Sequence, residues 1–180
     1  MRPLTEEEVN VCLEALGLRE NLIARLAIFE GMRPGEILAL RWKSIEGQLI
    51  RIEERVYKRK LNTPKNGKNR EGAISDGTLE LLNEWADLSR STGRGRLRIP
   101  IGALETVGLG WALFQVLRKT NASLSKKAVV DPKVASDHRG HGLGVSMEVY
   151  TSSDFEQKRA AVNRLEAAVL RKPKPVSGEI

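Results

Sequence analysis

The sequence predicts a mostly helical α+β fold with a small antiparallel β-meander. Along most of its 180 residues, apolar side chains recur at helical spacing and are bounded by helix start and stop signals. Between residues 49 and 75 the apolar pattern changes to that of strands. The length is about that of one domain, so we expect a helical body with an inserted sheet.

The helices are predicted from their caps and their apolar faces. Thr5 and Glu8 form a capping-box pattern at the start of the first helix, which ends near Gly17. Pro34 suits the first position of a short third helix, and Asp131-Pro132 suits the start of a later one. The predicted helices span residues 5–17, 19–31, 34–40, 76–89, 111–127, 131–139 and 153–170.

Two strands are predicted between the third and fourth helices. The first covers the strand-like residues of 49–57, the second covers 70–75, and Asn66-Gly67 lies in a turn between them. Residues 91–110 lack periodicity and allow only a strand at 97–101. We predict that residues 171–180 form a flexible basic tail.

The charge balance favours a polyanionic partner. Thirty Lys and Arg against 23 Asp and Glu give a net charge of +7 and a pI near 9.8. A basic protein gains binding free energy from the counterions that leave each neutralised phosphate, although a basic surface without a partner is the alternative. With only 4% aromatic residues, a duplex backbone is a better partner than stacked single-stranded bases.

Composition excludes several other classes. Hydrophobic residues make up 41% and charged residues 29%, which is typical of a globular protein. The sequence has no apolar run near the roughly 20 residues that span a bilayer, and no secretory leader follows Met1. The single Cys12 cannot form an internal disulfide. These features predict a cytoplasmic protein without a membrane partner.

Arg33 is the first candidate functional residue. It lies in Glu30-Gly31-Met32-Arg33-Pro34-Gly35-Glu36-Ile37-Leu38-Ala39-Leu40-Arg41-Trp42, where Gly31 ends one helix and Pro34 begins the next. A phosphate at this junction would meet a guanidinium group and a helix N-terminus. Taken alone, the segment also fits an ordinary pair of helices with a surface arginine.

Three later segments carry further candidates. Lys65 and Lys68 lie between the two strands in Thr63-Pro64-Lys65-Asn66-Gly67-Lys68-Asn69-Arg70, where solvated turn lysines are the simpler interpretation. Arg118 lies in Phe114-Gln115-Val116-Leu117-Arg118-Lys119-Thr120-Asn121-Ala122. His141 precedes Tyr150 by nine residues, in Asp137-His138-Arg139-Gly140-His141-Gly142 followed by Val149-Tyr150-Thr151. His138 and His141 lack the further ligands that a zinc site requires.

In this order, the four segments resemble the catalytic domain of tyrosine recombinases of the phage-integrase type. The family patterns are Gly-Met/Leu-Arg-x-Gly-Glu-x-Leu-x-Leu-x-Trp, Thr-x-Lys-x-x-x-x-Arg, Phe-His-x-Leu-Arg-Arg-Thr-His-Ala and a Gly-His followed by Tyr-Thr. The resemblance covers about residues 4–170 and implies the tyrosine-recombinase catalytic-domain fold.

The resemblance implies a DNA strand transferase that uses no metal or nucleotide cofactor. Tyr150 would be the nucleophile, Arg33 and Arg118 would clamp the phosphate, His141 would donate a hydrogen bond to it, and Lys65 would protonate the leaving 5′ oxygen. Glu36 would help to order the site. Residues expected to contact DNA are Lys68, Arg70, Arg41 and Lys119. The implied partners are double-stranded DNA and further copies of the chain on that DNA, and no small-molecule substrate is implied.

Departures from the family pattern leave other interpretations open. Gln115 stands where the family usually has a histidine, and an amide cannot exchange a proton near pH 7. We also expect no N-terminal core-binding domain of the kind that the family carries, and a catalytic domain that is shortened around residues 92–110. A non-catalytic, DNA-binding remnant of a degraded integrase is therefore the alternative function. A chain that does not fold stably is a third possibility, because a missing helix would expose apolar surface.

Overall fold

The computed structural model describes residues 2–58, 60–64, 69–92, 113–140 and 155–170. These residues form helices and strands in an order that agrees with the predicted α+β class. The helices are α1 (Glu6–Glu14), α2 (Leu18–Ile28), α3 (Pro34–Ala39), α4 (Asp76–Thr92), α5 (Phe114–Lys127), α6 (Pro132–Arg139) and α7 (Phe155–Val169). The strands are β1 (Ile45–Glu46), β2 (Leu49–Ile52), β3 (Arg55–Tyr57), β4 (Lys60–Asn62) and β5 (Arg70–Ala73), and a short 3₁₀ turn covers Trp42–Ser44.

The core is built around α2. Every residue of α2 from Leu22 to Ile28 is buried, and the helix packs against α4 on one side and α5 on another. Leu22, Leu26 and Ile28 have no exposed surface. Since burying one such side chain contributes roughly 1.5–3 kcal/mol, α2 holds the surrounding helices in place. The buried C-terminal end of α2 therefore holds the start of the following loop in place.

The strands form two small antiparallel sheets. The first has the order β1-β2-β5, with Leu49 opposite Ala73 and Ile52 opposite Arg70. The second is a ribbon of β3 and β4, with Arg55 opposite Asn62. The predicted pairing of the two strands is thus confirmed for β2 and β5, whereas the residues near 56 belong to the separate ribbon. The short strands β1 and β4 are additions to the prediction.

The predicted helix starts are confirmed at α1 and α6. The Thr5 hydroxyl accepts a hydrogen bond from the Glu8 amide at 3.2 Å, and the Glu8 carboxylate accepts one from the Thr5 amide at 2.9 Å. At α6 the Asp131 carboxylate accepts hydrogen bonds from the amides of Lys133 and Val134 at 2.8 and 3.1 Å. Satisfied amides at a helix N-terminus stabilise it by about 1 kcal/mol.

A buried polar network joins α2, β5, α4 and α7. Arg25 of α2 donates hydrogen bonds to Glu166 of α7 and to Thr78 of α4. The Ser75 hydroxyl, at the end of β5, lies 2.9 Å from the Glu30 carboxylate and 3.0 Å from that of Glu166. Complete burial raises the pKa of Glu30 to about 7, against the opposing hydrogen bonds from Ser75. The C-terminal helix is therefore anchored to the body of its own chain.

Some predictions fall on parts of the chain that the structure does not describe. The turn at Asn66-Gly67, the strand at 97–101, most of the shortened stretch at 92–110 and the tail at 171–180 all lie outside the described residues. None of the helices in the described ranges is long and apolar enough to cross a bilayer.

Candidate active site

Arg33 lies at the junction between α2 and α3. The chain turns there because Gly31 adopts a left-handed conformation with φ of 62°, after which Arg33 forms the N-cap of α3. The Arg33 guanidinium donates one hydrogen bond to the Glu36 carboxylate at 2.9 Å and another to the carbonyl of Gly140 at 3.0 Å. One end of its fork is thus tied to α3 and the other to the end of α6.

Arg118 comes from α5 and reaches the same place. Its Nη1 donates to the carbonyl of Gly31 at 2.5 Å, and its Nη2 donates to the carbonyl of Arg139 at 2.7 Å. The carbonyls of Arg139 and Gly140, which hold Arg118 and Arg33 respectively, are consecutive in the chain. The two guanidinium groups therefore converge on the C-terminal end of α6, although they come from distant parts of the sequence.

Glu36 is the carboxylate at the base of this site. Its side chain is 1% exposed and accepts two hydrogen bonds from Arg70, at 2.8 and 2.9 Å, besides those from the side chain and amide of Arg33. Burial alone would raise the pKa of Glu36, but the bonds and charge of Arg70 and the bonds of Arg33 outweigh it and lower the pKa to about 2. Glu36 is therefore ionised and holds both arginines.

Positive charge exceeds negative charge around Arg118. Its pKa is lowered to about 10, first by burial and then by the charge of Arg33, with smaller contributions from Arg70 and Arg139 and an opposing one from Glu36. A guanidinium remains protonated at neutral pH, so among the described residues Arg118 and its three neighbouring arginines carry more positive charge than Glu36 offsets. An anion that enters the site would relieve this excess.

Two left-handed glycines allow the arginines to pack closely. A Cβ atom on Gly31 would lie 2.7 Å from Cγ of Arg139, and one on Gly140, whose φ is 64°, would lie 2.9 Å from Cδ of Arg70. Both positions combine a positive φ with a close approach, so only glycine fits without a shift of the arginines. The same glycines supply the carbonyls that hold Arg118 and Arg33.

The remaining predicted residues within the described ranges occupy different positions. Gln115 and Lys119 are exposed on α5, and Gln115 lies one turn before Arg118 on the same face. Arg70 uses all three of its nitrogens on Glu36 and the carbonyl of His138. Arg41 forms an exposed ion pair with Glu54 at 2.8 Å, at the edge of a cleft of about 360 Å³ between α3 and the β3–β4 ribbon.

Four predicted residues cannot be placed relative to the arginines. Tyr150, His141, Lys65 and Lys68 lie outside the described residues, so their roles stay predictions. Gly140, whose carbonyl accepts a hydrogen bond from the Arg33 side chain, directly precedes His141 in the sequence.

One residue of this region, Arg139, was not singled out from the sequence, and two others, Asn121 and His138, make contacts that the motifs did not predict. Arg139 reaches across Gly31, and its Nη1 donates to the Asn121 side-chain oxygen at 3.2 Å. The Asn121 amide nitrogen donates to the carbonyls of Ile28 and Phe29, both at 2.8 Å. His138 is buried against the backbone of Ala73, and burial lowers its pKa to about 4, so it is neutral and structural. The sequence signal that could have identified Arg139 is its position as a basic residue directly before Gly140, the C-cap of α6.

The fold is the one found in the catalytic domains of tyrosine recombinases. The integrase from mycobacterium phage Brujita superposes over 97% of this chain and 61% of its own, with a TM-score of 0.67 and 16% identity. The XerA recombinase superposes over 96% of this chain and 66% of its own (TM-score 0.61, 18% identity). The Tn1549 transposon integrase in complex with a circular intermediate DNA superposes over 90% and 65% (TM-score 0.62, 13% identity).

These likenesses establish the fold. The chain spans 61% to 66% of the length of the three solved proteins. Comparison of the sequence with protein-family models and with curated proteins finds no match. The fold that the motif resemblance implies is therefore confirmed by structural similarity alone.

Proposed function

We propose that the chain performs site-specific DNA recombination, in which strands are cut and rejoined through a 3′-phosphotyrosine intermediate. The observation that carries this proposal is the convergence of Arg33 and Arg118 on the end of α6. Two planar guanidinium groups that converge at one place can bind the oxygens of a phosphate diester, and the excess of positive charge around them favours such an anion. The resemblance of the local motifs supplies the nature of the reaction.

The arginines stabilise the transition state. When the nucleophile adds to phosphorus, negative charge grows on the two non-bridging oxygens, and fixed guanidinium groups offset that charge without reorganising. Arg33 is fixed by Glu36, and Arg118 is fixed by the carbonyls of Gly31 and Arg139. Both side chains are thus held before DNA binds.

The covalent step belongs to Tyr150. Its phenolic oxygen gives its proton to water and forms a bond to phosphorus while the bond from phosphorus to the 5′ oxygen breaks, and Lys65 gives that oxygen a proton. His141 donates a hydrogen bond to the phosphate. The 5′ hydroxyl of a second strand reverses the step, so the phosphodiester is re-formed without a metal or a nucleotide cofactor.

Gln115 limits the rate of this reaction. Its exposed amide can donate a hydrogen bond to a phosphate oxygen but cannot accept the tyrosine proton near pH 7. Loss of a general base typically costs on the order of 10²–10⁴ in rate. The chain is therefore a slow strand transferase, and Gln115→His would restore a side chain that can accept the tyrosine proton near pH 7.

The partner is double-stranded DNA in the cytoplasm, bound by more than one copy of the chain. The XerH recombinase was solved bound to its difH substrate, and the Tn1549 integrase in complex with transposon right end DNA. The exposed Lys119 beside Arg118, together with Lys68 and Arg41, extends the contact to phosphates next to the reacting one.

The covalent intermediate gives the test. The purified chain is incubated with a pool of nicked duplexes of random sequence, in which the short fragment beside the nick diffuses away after cleavage and traps the adduct. We expect a protein–DNA band on a denaturing gel, a stronger band with Gln115→His, and no band with Tyr150→Phe. An adduct that survives in Tyr150→Phe, or no adduct with either the native chain or Gln115→His, would contradict the proposal.

A non-catalytic DNA-binding remnant is the second candidate, because Gln115 removes the usual histidine. It predicts duplex binding that weakens steeply with salt, with no adduct under any condition. Binding measured on intact duplex at two salt concentrations, beside the adduct assay, separates the two candidates.

A further inference from the structure

Arg139 is a cation of the site to which neither the family motifs nor the predicted reaction gives a role. It is the last residue of α6, and its side chain lies across Gly31, with Cγ at 2.7 Å from where a Cβ on that glycine would be. Gly31 is also the residue whose carbonyl holds Arg118. The side chains of Arg118 and Arg139 therefore flank the same glycine.

Arg118 and Arg139 share a second feature, because the acceptors of their hydrogen bonds are uncharged oxygens. Arg118 donates to the carbonyls of Gly31 and Arg139, and Arg139 donates to the side-chain oxygen of Asn121. By contrast, Arg33 and Arg70 both bond the carboxylate of Glu36. Within the described residues, Arg118 and Arg139 thus make their hydrogen bonds to neutral oxygens. Half-buried charges whose hydrogen-bond partners are all neutral are unfavourable until an anion joins them.

Asn121 fixes Arg139 in this position. Its amide nitrogen is occupied by the carbonyls of Ile28 and Phe29 at the end of α2, which leaves its oxygen directed at Arg139. Because α2 lies in the centre of the core, the Arg139 guanidinium is held by a rigid element. One of its nitrogens is used in this contact, and the described residues provide no acceptor for the other two.

We propose that Arg139 is a third phosphate-binding arginine, which binds the same phosphate as Arg118 from the other side of Gly31. This inference rests on the proposed function for the identity of the ligand as a DNA phosphate. It assigns the side chain a direct contact that is separate from the role of its backbone carbonyl, which positions Arg118. A substitution at Arg139 keeps that carbonyl and removes only the cation.

Inorganic phosphate is the probe, because it needs no knowledge of the DNA sequence. The rise in Tm with phosphate concentration gives the dissociation constant for the wild type, Arg139→Gln, Arg139→Lys and Arg159→Gln. Arg159 is an exposed arginine of α7 paired with Glu156, so its variant removes the same charge elsewhere. The Tm without phosphate shows that each variant folds.

We expect Arg139→Gln to weaken phosphate binding by about tenfold or more, the effect of losing one charge-assisted hydrogen bond. Arg139→Lys keeps the charge and is expected to recover part of the affinity, while Arg159→Gln binds as the wild type does. Equal affinity of the wild type and Arg139→Gln would overturn the inference. So would a wild type that binds no phosphate, or a loss of the same size in Arg159→Gln.

The adduct assay separates this inference from the proposed function. If the wild type forms an adduct while Arg139→Gln keeps both its phosphate affinity and its adduct rate, the recombinase function stands and the role of Arg139 is wrong. If Arg139→Gln loses phosphate affinity but no adduct forms with the wild type, the phosphate site stands and the strand-transfer function is wrong.

Discussion

At the scale of single residues, Glu36 connects two arginines that come from different parts of the chain. Arg33 and Arg70 are 21% and 13% exposed, and both share a carboxylate that is 1% exposed. A buried carboxylate of this kind is stable only while its cations are present, and the cations depend on it equally. The arrangement fixes Arg33, whereas Arg118 and Arg139 make their hydrogen bonds to neutral oxygens among the described residues.

We expect Glu36→Gln to lower the free energy of unfolding by about 3 kcal/mol at pH 7, as for other broken buried ion pairs. Because the pKa of Glu36 is lowered from its ordinary 4.5 to about 2, its contribution is present above pH 4.5 and is lost as the pH falls toward 2. The difference between the variant and the wild type should therefore shrink over that range. Urea denaturation at several pH values measures both effects.

Glu156→Gln is the matched control for this prediction. Glu156 also pairs with an arginine three residues away, but on the exposed side of α7, where such pairs contribute about 0.5 kcal/mol or less. If Glu36→Gln cost no more than Glu156→Gln, the carboxylate would not support the site.

The sequence carries enough information to find Arg33 and Arg118, because each lies in a local motif with recognisable neighbours. It does not reveal the position of Arg139 or the ion pair between Arg70 and Glu36. Those contacts depend on how α6 and β5 pack against α3, and residues so far apart leave no periodic signal. A basic residue at a helix C-terminus also has a simpler explanation in the helix dipole.

At the scale of elements, the β3–β4 ribbon packs directly on the first turn of α3. The contact is close at Gly35, where a Cβ atom would lie 2.5 Å from the carbonyl oxygen of Val56. The ribbon backbone thus touches the turn that begins with Arg33. A displaced ribbon would move α3 and, with it, the arginine.

Gly35→Ala should therefore destabilise the protein by about 1–3 kcal/mol, the usual effect of forcing extra volume into a packed contact. The neighbouring atom belongs to the backbone and cannot rotate away. The shift in Tm measures the effect.

Gly17→Ala provides the comparison, since the nearest atom there is the flexible carboxylate of Glu20 at 3.0 Å and φ is −64°. We expect Gly17→Ala to have the smaller effect. An equal or larger loss in that variant would mean that the contact with Val56 is not tight.

Element boundaries were predictable to different degrees. Helices with strong local signals, such as α1 and α6, begin where Thr5 and Asp131 indicate. The ribbon was not predicted as a separate sheet, because all three residues of β4 are exposed and show no alternation. Its pairing depends on contact with α3 and not on an apolar pattern of its own.

At the scale of the whole molecule, the described helices and strands build a rigid frame around one arginine site. α2 fixes Gly31 and Asn121 from one side, and α6 supplies the carbonyls of Arg139 and Gly140 from the other. Local motifs imply that Arg33 and Arg118 cooperate, but only the packing of α2 against α5 brings them together. This long-range convergence is the part of the site that periodicity and caps cannot predict.

Calorimetric titration of inorganic phosphate into the wild type, Arg33→Gln, Arg118→Gln and the double variant tests this convergence most directly. We predict one phosphate per chain, a loss of about tenfold or more in each single variant, and a double variant that loses less than the product of the two, because both side chains serve one ligand. Two phosphates per chain, with each single variant abolishing only one of them, would contradict a shared site.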